Sequence, residues 1–181
     1  MAHPATPPPI TVQGDAPLVE LLGREWLRTN AWGSYASSTV VGCNTRRYHG
    51  LLVAATAPPV GRVVALSTLR EVLTVGERSY DLSTFEFPGT FAPRGAGHLV
   101  EFQDGPAATF VFQFEQTTVV KEVLLAEAAN AVIVRYTLHG LPAAGGPARL
   151  ELWPFVALRD FHHLRKADQP HQMTFDSGPD G

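Results

Sequence analysis

The residues best equipped for chemistry lie within residues 30–55. Arg46, Arg47, Tyr48 and His49 stand consecutively at the entry to an apolar run, Leu51, Leu52 and Val53. Two guanidiniums, a phenol and an imidazole together offer many donors to hydroxyls or oxyanions, and the imidazole can also accept or move a proton. Such groups are costly beside a buried strand unless each finds a partner. Four in a row therefore indicate a polar site on a rigid element. A plain strand entry is the alternative, with the Arg residues paired to surface carboxylates and His49 at the rim, because structural ion pairs gather the same residue types. Asn30, Trp32 and Tyr35 lie just upstream and add an amide and two aromatic faces.

Other chemistries have weaker signals. Cys43 precedes His49 by six residues, but a thiol–imidazole pair needs spatial contact, and a lone Cys reads more naturally as a small buried hydrophobe. Asp160, His162 and His163 are candidate metal ligands. Adjacent His residues on a strand point to opposite faces, so one ion would require a loop there; hydrogen bonding to neighbours is the preferred reading, and no metal or cofactor is expected. The serines lack a nucleophile-elbow frame, and no glycine-rich phosphate loop occurs. Glycoside cleavage needs two carboxyl groups flanking the bond. Glu25, Glu71, Glu101, Glu122 and Asp160 are available, but most read as solvated charges on strands and none forms a marked pair. Of the aromatics that could stack on sugar rings, Trp26 and Trp153 are expected in the core.

The elements that must hold these residues read as strands. Of 181 residues, 45% are hydrophobic, and the 16 Gly and 15 Pro favour many short connections. The pattern predicts strands at 25–29 after a short turn split by Gly23, at 35–41, and at 48–55. In the last, Arg47 and His49 would share one face and Arg46 and Tyr48 the other. Residues 62–75 are rich in β-branched side chains and read as strand rather than helix, returning at 78–82 through a Gly76-Glu77 turn. A Phe-, Pro- and Gly-rich loop follows at 83–97. Further strands are predicted at 98–103 and 109–114, in a hairpin at 117–125 and 131–138, and at 148–158. Phe110, Phe112 and Phe114 would share one buried face. Eight to eleven short strands separated by turn signals indicate an all-β, antiparallel β-sandwich. Residues 1–17, with five prolines, read as a disordered or extended arm, 18–164 as the sandwich, and 165–181 as a polar tail or truncated continuation. The net charge is −3 with no basic run, so a nucleic-acid partner is not expected. No stretch is apolar enough to span a membrane, no secretion signal opens the chain, and the single Cys suits a reducing, cytoplasmic setting.

Residues 25–73 resemble the N-terminal domain of bacterial and archaeal glycogen debranching enzymes (amylo-α-1,6-glucosidases). The resemblance rests on Trp26-Leu27, Thr29-Asn30, Gly33, Tyr35-Ala36-Ser37 and Thr39, then Gly42 and the run from Asn44 to Leu52, which reads NTRRYHGLL. Leu82-Ser83-Thr84 and Arg159-Asp160-Phe161-His162 also look like the family, while Ala31 and Ser34 stand where it usually has Gly. The resemblance implies a sandwich of the super-sandwich type, ending here before its last strands. It also implies an (α/α)6 catalytic domain, in cis or in trans, that carries the acid and base carboxylates and that this chain lacks. On this reading the chain is non-catalytic and cytoplasmic. Asn30, Tyr35, Arg46, Arg47, Tyr48, His49, Arg159 and Asp160 would then line a glucan site or a domain interface, with glycogen or a maltooligosaccharide as ligand. A free-standing glucan-binding module using Trp32, Tyr35 and Tyr48, or a purely structural interaction domain, are the alternatives.

Overall fold

The computed structural model describes residues 10–57, 60–141, 147–164 and 166. In chain order the elements are β1 (Ile10–Gln13), a one-turn α1 (Leu18–Leu22), β2 (Glu25–Thr29), β3 (Tyr35–Thr39), β4 (Gly50–Ala57) and β5 (Gly61–Val75). Then come β6 (Arg78–Asp81), β7 (Phe85–Phe87), β8 (Thr90–Ala92), a 3-10 turn (Gly95–His98) and β9 (Leu99–Asp104). The remainder is β10 (Ala108–Phe114), β11 (Thr117–Leu125), β12 (Val132–His139) and β13 (Ala148–Asp160). One sheet has the order β1-β9-β10-β11-β12; the other runs β13-β5-β4-β3-β2, with β6 also paired to β5, and every pairing is antiparallel. The two sheets bury their facing sides against each other, an all-β sandwich as the turn spacing predicts.

The core follows from strict alternation. Phe110, Phe112 and Phe114 on β10, with Val119 and Val123 on β11, face inward from the first sheet. Trp26, Ala36, Leu51, Leu69 and Leu73 meet them from the second. Trp26 packs edge-on to Phe110 at 6.2 Å between centroids, and its indole N–H donates to the Thr39 carbonyl at 3.1 Å. A charged contact crosses this core: Lys121 Nζ lies 2.7 Å from Glu71 Oε1, and Tyr136 donates its hydroxyl proton to the same oxygen.

Several expectations need correction. Residues 10–17 are not part of an extended arm: Ile10–Gln13 pair with β9, and α1 follows; residues 1–9 lie outside the described residues. Residues 83–97 are not plain loop, because Phe85–Phe87 and Thr90–Ala92 form a hairpin around Gly89, whose φ of +78° suits glycine. The strand expected at 62–75 stands, as one continuous element of 15 residues, Gly61–Val75. Glu71 is not a solvated strand charge but a core residue. Trp153 is not in the core. Glu71 and Leu73 face inward on β5, so alternation sends Arg70 and its cross-strand partner Trp153 outward, where the indole is 42% exposed. The expected tail lies outside the described residues apart from Lys166.

Candidate functional site

The run 46–49 is not the start of a strand. Strand β4 begins at Gly50, and the preceding residues form a turn closed by the His49 N–H donating to the Arg46 carbonyl at 3.0 Å. The face assignment of Arg47 with His49 and Arg46 with Tyr48 therefore fails, since alternation requires an extended backbone. The cause is local. Gly42, at φ +73°, closes the turn after β3 by donating its N–H to the Thr39 carbonyl at 2.9 Å, and the His49 ring holds the next one. Its Nδ1 accepts the backbone N–H groups of Thr45 at 3.1 Å and Arg46 at 3.4 Å, a side-chain-to-backbone pattern that competes with strand pairing.

This hydrogen bonding also fixes the ring's proton. With Nδ1 accepting, Nε2 carries the hydrogen and the imidazole is neutral. His49 is only 3% exposed, and burial pulls its pKa below the ordinary value, partly opposed by Glu25. Nε2 stands 3.4 Å from Glu25 Oε1, poorly aimed for a hydrogen bond, and has no other acceptor among the described residues. Arg46 extends over the same carboxylate and forms an ion pair with it.

These three groups close one end of a groove of about 430 Å³ on the outer face of the second sheet. Because Trp26 and Ala36 point into the core, Glu25, Leu27 and Thr29 on β2 and Tyr35 and Ser37 on β3 point out and form its floor. Tyr48 and Arg62 stand at its sides. Tyr35 donates its hydroxyl proton to the Tyr48 carbonyl at 2.9 Å, and partial burial raises the Tyr35 pKa. Glu25 is the single carboxylate of the lining among the described residues.

A second cluster abuts the first. The segment after β13 turns back so that Phe161 N–H donates to the Arg62 carbonyl at 3.2 Å. Arg47 Nη1 donates to the His162 carbonyl at 3.1 Å, and the Tyr48 hydroxyl meets His162 Nδ1 at 3.2 Å. Tyr48 also packs on Phe161 at 5.6 Å. Arg159 donates to the carbonyls of Arg47 and His163, the latter at 3.2 Å. Asp160 accepts the His162 backbone N–H at 2.8 Å and contacts His163 Nδ1 at 3.0 Å, which holds its carboxyl below the usual range. Asp160, His162 and His163 thus build a hydrogen-bonded turn, and no group of three metal-ligating side chains occurs among the described residues. Cys43 is fully buried, and desolvation pushes its thiol up to about 11, an inert setting.

Of the expected site residues, Tyr35, Arg46, Tyr48 and His49 come together in the groove, and Arg47, Arg159 and Asp160 form the adjoining bracket. Asn30 is placed elsewhere. Its Nδ2 donates to the carbonyls of Ala126 at 2.8 Å and Ala129 at 2.9 Å, while Oδ1 accepts the N–H of Trp32 at 3.1 Å and Ser34 at 3.0 Å. That amide is fully occupied in tying the β2–β3 turn to the β11–β12 turn. Glu25, Leu27 and Arg62 were missed as site members. Alternation from Trp26 could have placed the first two on the outer face, but Arg62 reaches the groove through strand order, which no local pattern encodes.

No curated protein and no solved structure matches the chain. The family model described as glycogen debranching enzyme N terminal matches residues 24–179, a span that holds the whole groove and bracket. The chain therefore belongs to the glycogen debranching enzyme N-terminal family.

Proposed function

We propose that this chain is the non-catalytic N-terminal domain that packs on an (α/α)6 catalytic domain of a glycogen debranching enzyme and helps shape its glucan site. The observation that carries the reading is the groove. It joins the polar side chains of Arg46, Tyr48 and His49 to a floor that includes Leu27 and Tyr35, on the outer face of a sheet whose strands β2 and β3 bury their other side. The groove offers one carboxylate, engaged by Arg46, where direct glycoside hydrolysis asks for an acid and a base. Its donors and aromatic edges suit hydroxyl groups and sugar faces, so the bond-breaking carboxylates would come from the partner domain. The test is steady-state kinetics on branched dextrin in a protein that contains both domains. Tyr48→Ala, with Tyr48 40% exposed at the groove side, is expected to lower kcat/KM about tenfold or more while leaving the melting temperature close to the parent's. Unchanged kinetics would remove the role.

A second reading has one specific support. Trp32 is 52% exposed on a turn pinned by Asn30, and Tyr48 is also exposed, so this chain could hold an α-glucan by stacking alone. Calorimetry with maltoheptaose decides it: heat that saturates and is lost in Trp32→Ala favours the module, and silence at millimolar sugar removes it.

A further inference from the structure

A second concavity shares no lining residue with the groove. It has a volume of about 490 Å³ and lies between the β1–α1 segment, the β7–β8 hairpin and the 3-10 turn. Its walls are mainly apolar, with Ala16, Leu18, Leu21, Phe91 and Ala96 prominent. The polar side chains of the lining are Thr84, Thr90 and Arg94, and none is acidic. Thr84 is buried; its Oγ1 accepts the Ala96 N–H at 2.8 Å, while its own proton meets no acceptor among the described residues. The Arg94 guanidinium likewise has no hydrogen bond or ion pair among them. An apolar hollow of this size with a few convergent polar groups is the usual form of a small-molecule site. Among the described lining residues the one charge is the Arg94 cation, and the Thr84 and Thr90 hydroxyls can add donors, so the complementary ligand is apolar with one anionic head.

We propose that this cavity binds a small amphipathic carboxylate, an alkyl or aryl acid whose body lies against Leu18, Leu21 and Phe91 and whose head is taken by Arg94. The reading is independent of any glucan role. The experiment is a titration of the isotopically labelled full chain with octanoate, followed by amide shifts, with octanol as the uncharged control. Saturable shifts confined to residues 14–21 and 84–97 are expected, with octanol about tenfold or more weaker, as loss of a charge-assisted contact dictates. Arg94→Gln, an exposed substitution that leaves the core intact, should remove the preference for octanoate without altering octanol binding. Equal binding of the two ligands, an unaffected Arg94→Gln variant, shifts centred on the groove, or no saturable shift would each overturn the assignment.

Discussion

At the scale of single residues, His49 decides how the groove corner responds to pH. Its folded pKa lies below that of a free imidazole because burial disfavours the cation. The unfolded chain therefore binds the proton first as pH falls. The stability this neutral ring supports is fully present above about pH 6.5 and is lost as pH falls through and below the depressed folded value. Protonation would also place a hydrogen on Nδ1, which now accepts two backbone N–H groups. Chemical denaturation between pH 7.5 and 5 should show unfolding free energy falling with acidity. His49→Asn, whose side-chain oxygen can still accept those N–H groups, should flatten that fall. An identical slope in the variant would mean that other groups control it.

At the scale of elements, side-chain ties join the two sheets. Lys121 and Glu71 are both buried and paired across the sandwich, and Lys121 Nζ also lies 5.4 Å from the Phe110 ring centroid. Removing one member leaves an uncompensated buried charge, so Lys121→Met should cost about 3–5 kcal/mol by urea denaturation. Glu71→Gln added to Lys121→Met should recover part of that, since the amide keeps contact with Tyr136 without a charge. A double variant no more stable than Lys121→Met alone would place the cost elsewhere. Ser34 makes a second tie: its Oγ accepts the Ala55 N–H at 2.9 Å and donates to Asn130, whose Nδ2 donates to the Ala55 carbonyl at 2.9 Å. Ser34→Gly, the residue usual in the resembled pattern, should cost about 1–3 kcal/mol by leaving buried partners unsatisfied.

These ties also mark where the amino-acid pattern stops being informative. The period of two places Phe110, Phe112 and Phe114 on one face, and Gly23 and Gly76 punctuate the chain where the elements change. Those signals are local and survive in any β fold. Glu71 looks like a solvated charge until a strand from the opposite sheet supplies Lys121, a partner 50 positions away. Tyr48 and His49 read as the start of a strand, with Arg46 and Arg47 leading into it, because Gly50, Leu51 and Leu52 continue smoothly, whereas the turn depends on hydrogen bonds made by the His49 ring. The bracket of Arg47 with His162 and Arg159 spans more than 100 positions and was reachable only through family resemblance.

At the scale of the whole molecule, the outer face of the second sheet is unusually apolar. Leu27 is 54% exposed beside the groove, and Phe87, Trp153 and Phe155 are exposed where the β7–β8 hairpin meets β13. Phe85 packs on Phe155 at 5.4 Å, and Arg70 lies over Trp153 at 5.4 Å. On β2 the opposite side is core, whereas β13 is exposed on both sides, with Leu152 and Val156 also open. These residues lie at the two edges of the sheet, β2 and β13, and under the proposed reading either edge is a candidate contact for the second domain. Leu27→Glu would set an uncompensated charge against such a partner and should weaken association with an (α/α)6 domain about tenfold or more, while leaving the fold of this chain unchanged.

The most direct measurement is backbone hydrogen exchange of this chain with and without an (α/α)6 domain from a member of the family. The account predicts slowed exchange at residues 25–29, 35–37, 45–50 and 159–163, with β9 to β11 on the other sheet unaltered. Protection confined to that other sheet, or none at a partner concentration that saturates binding, would contradict a groove completed by a second domain.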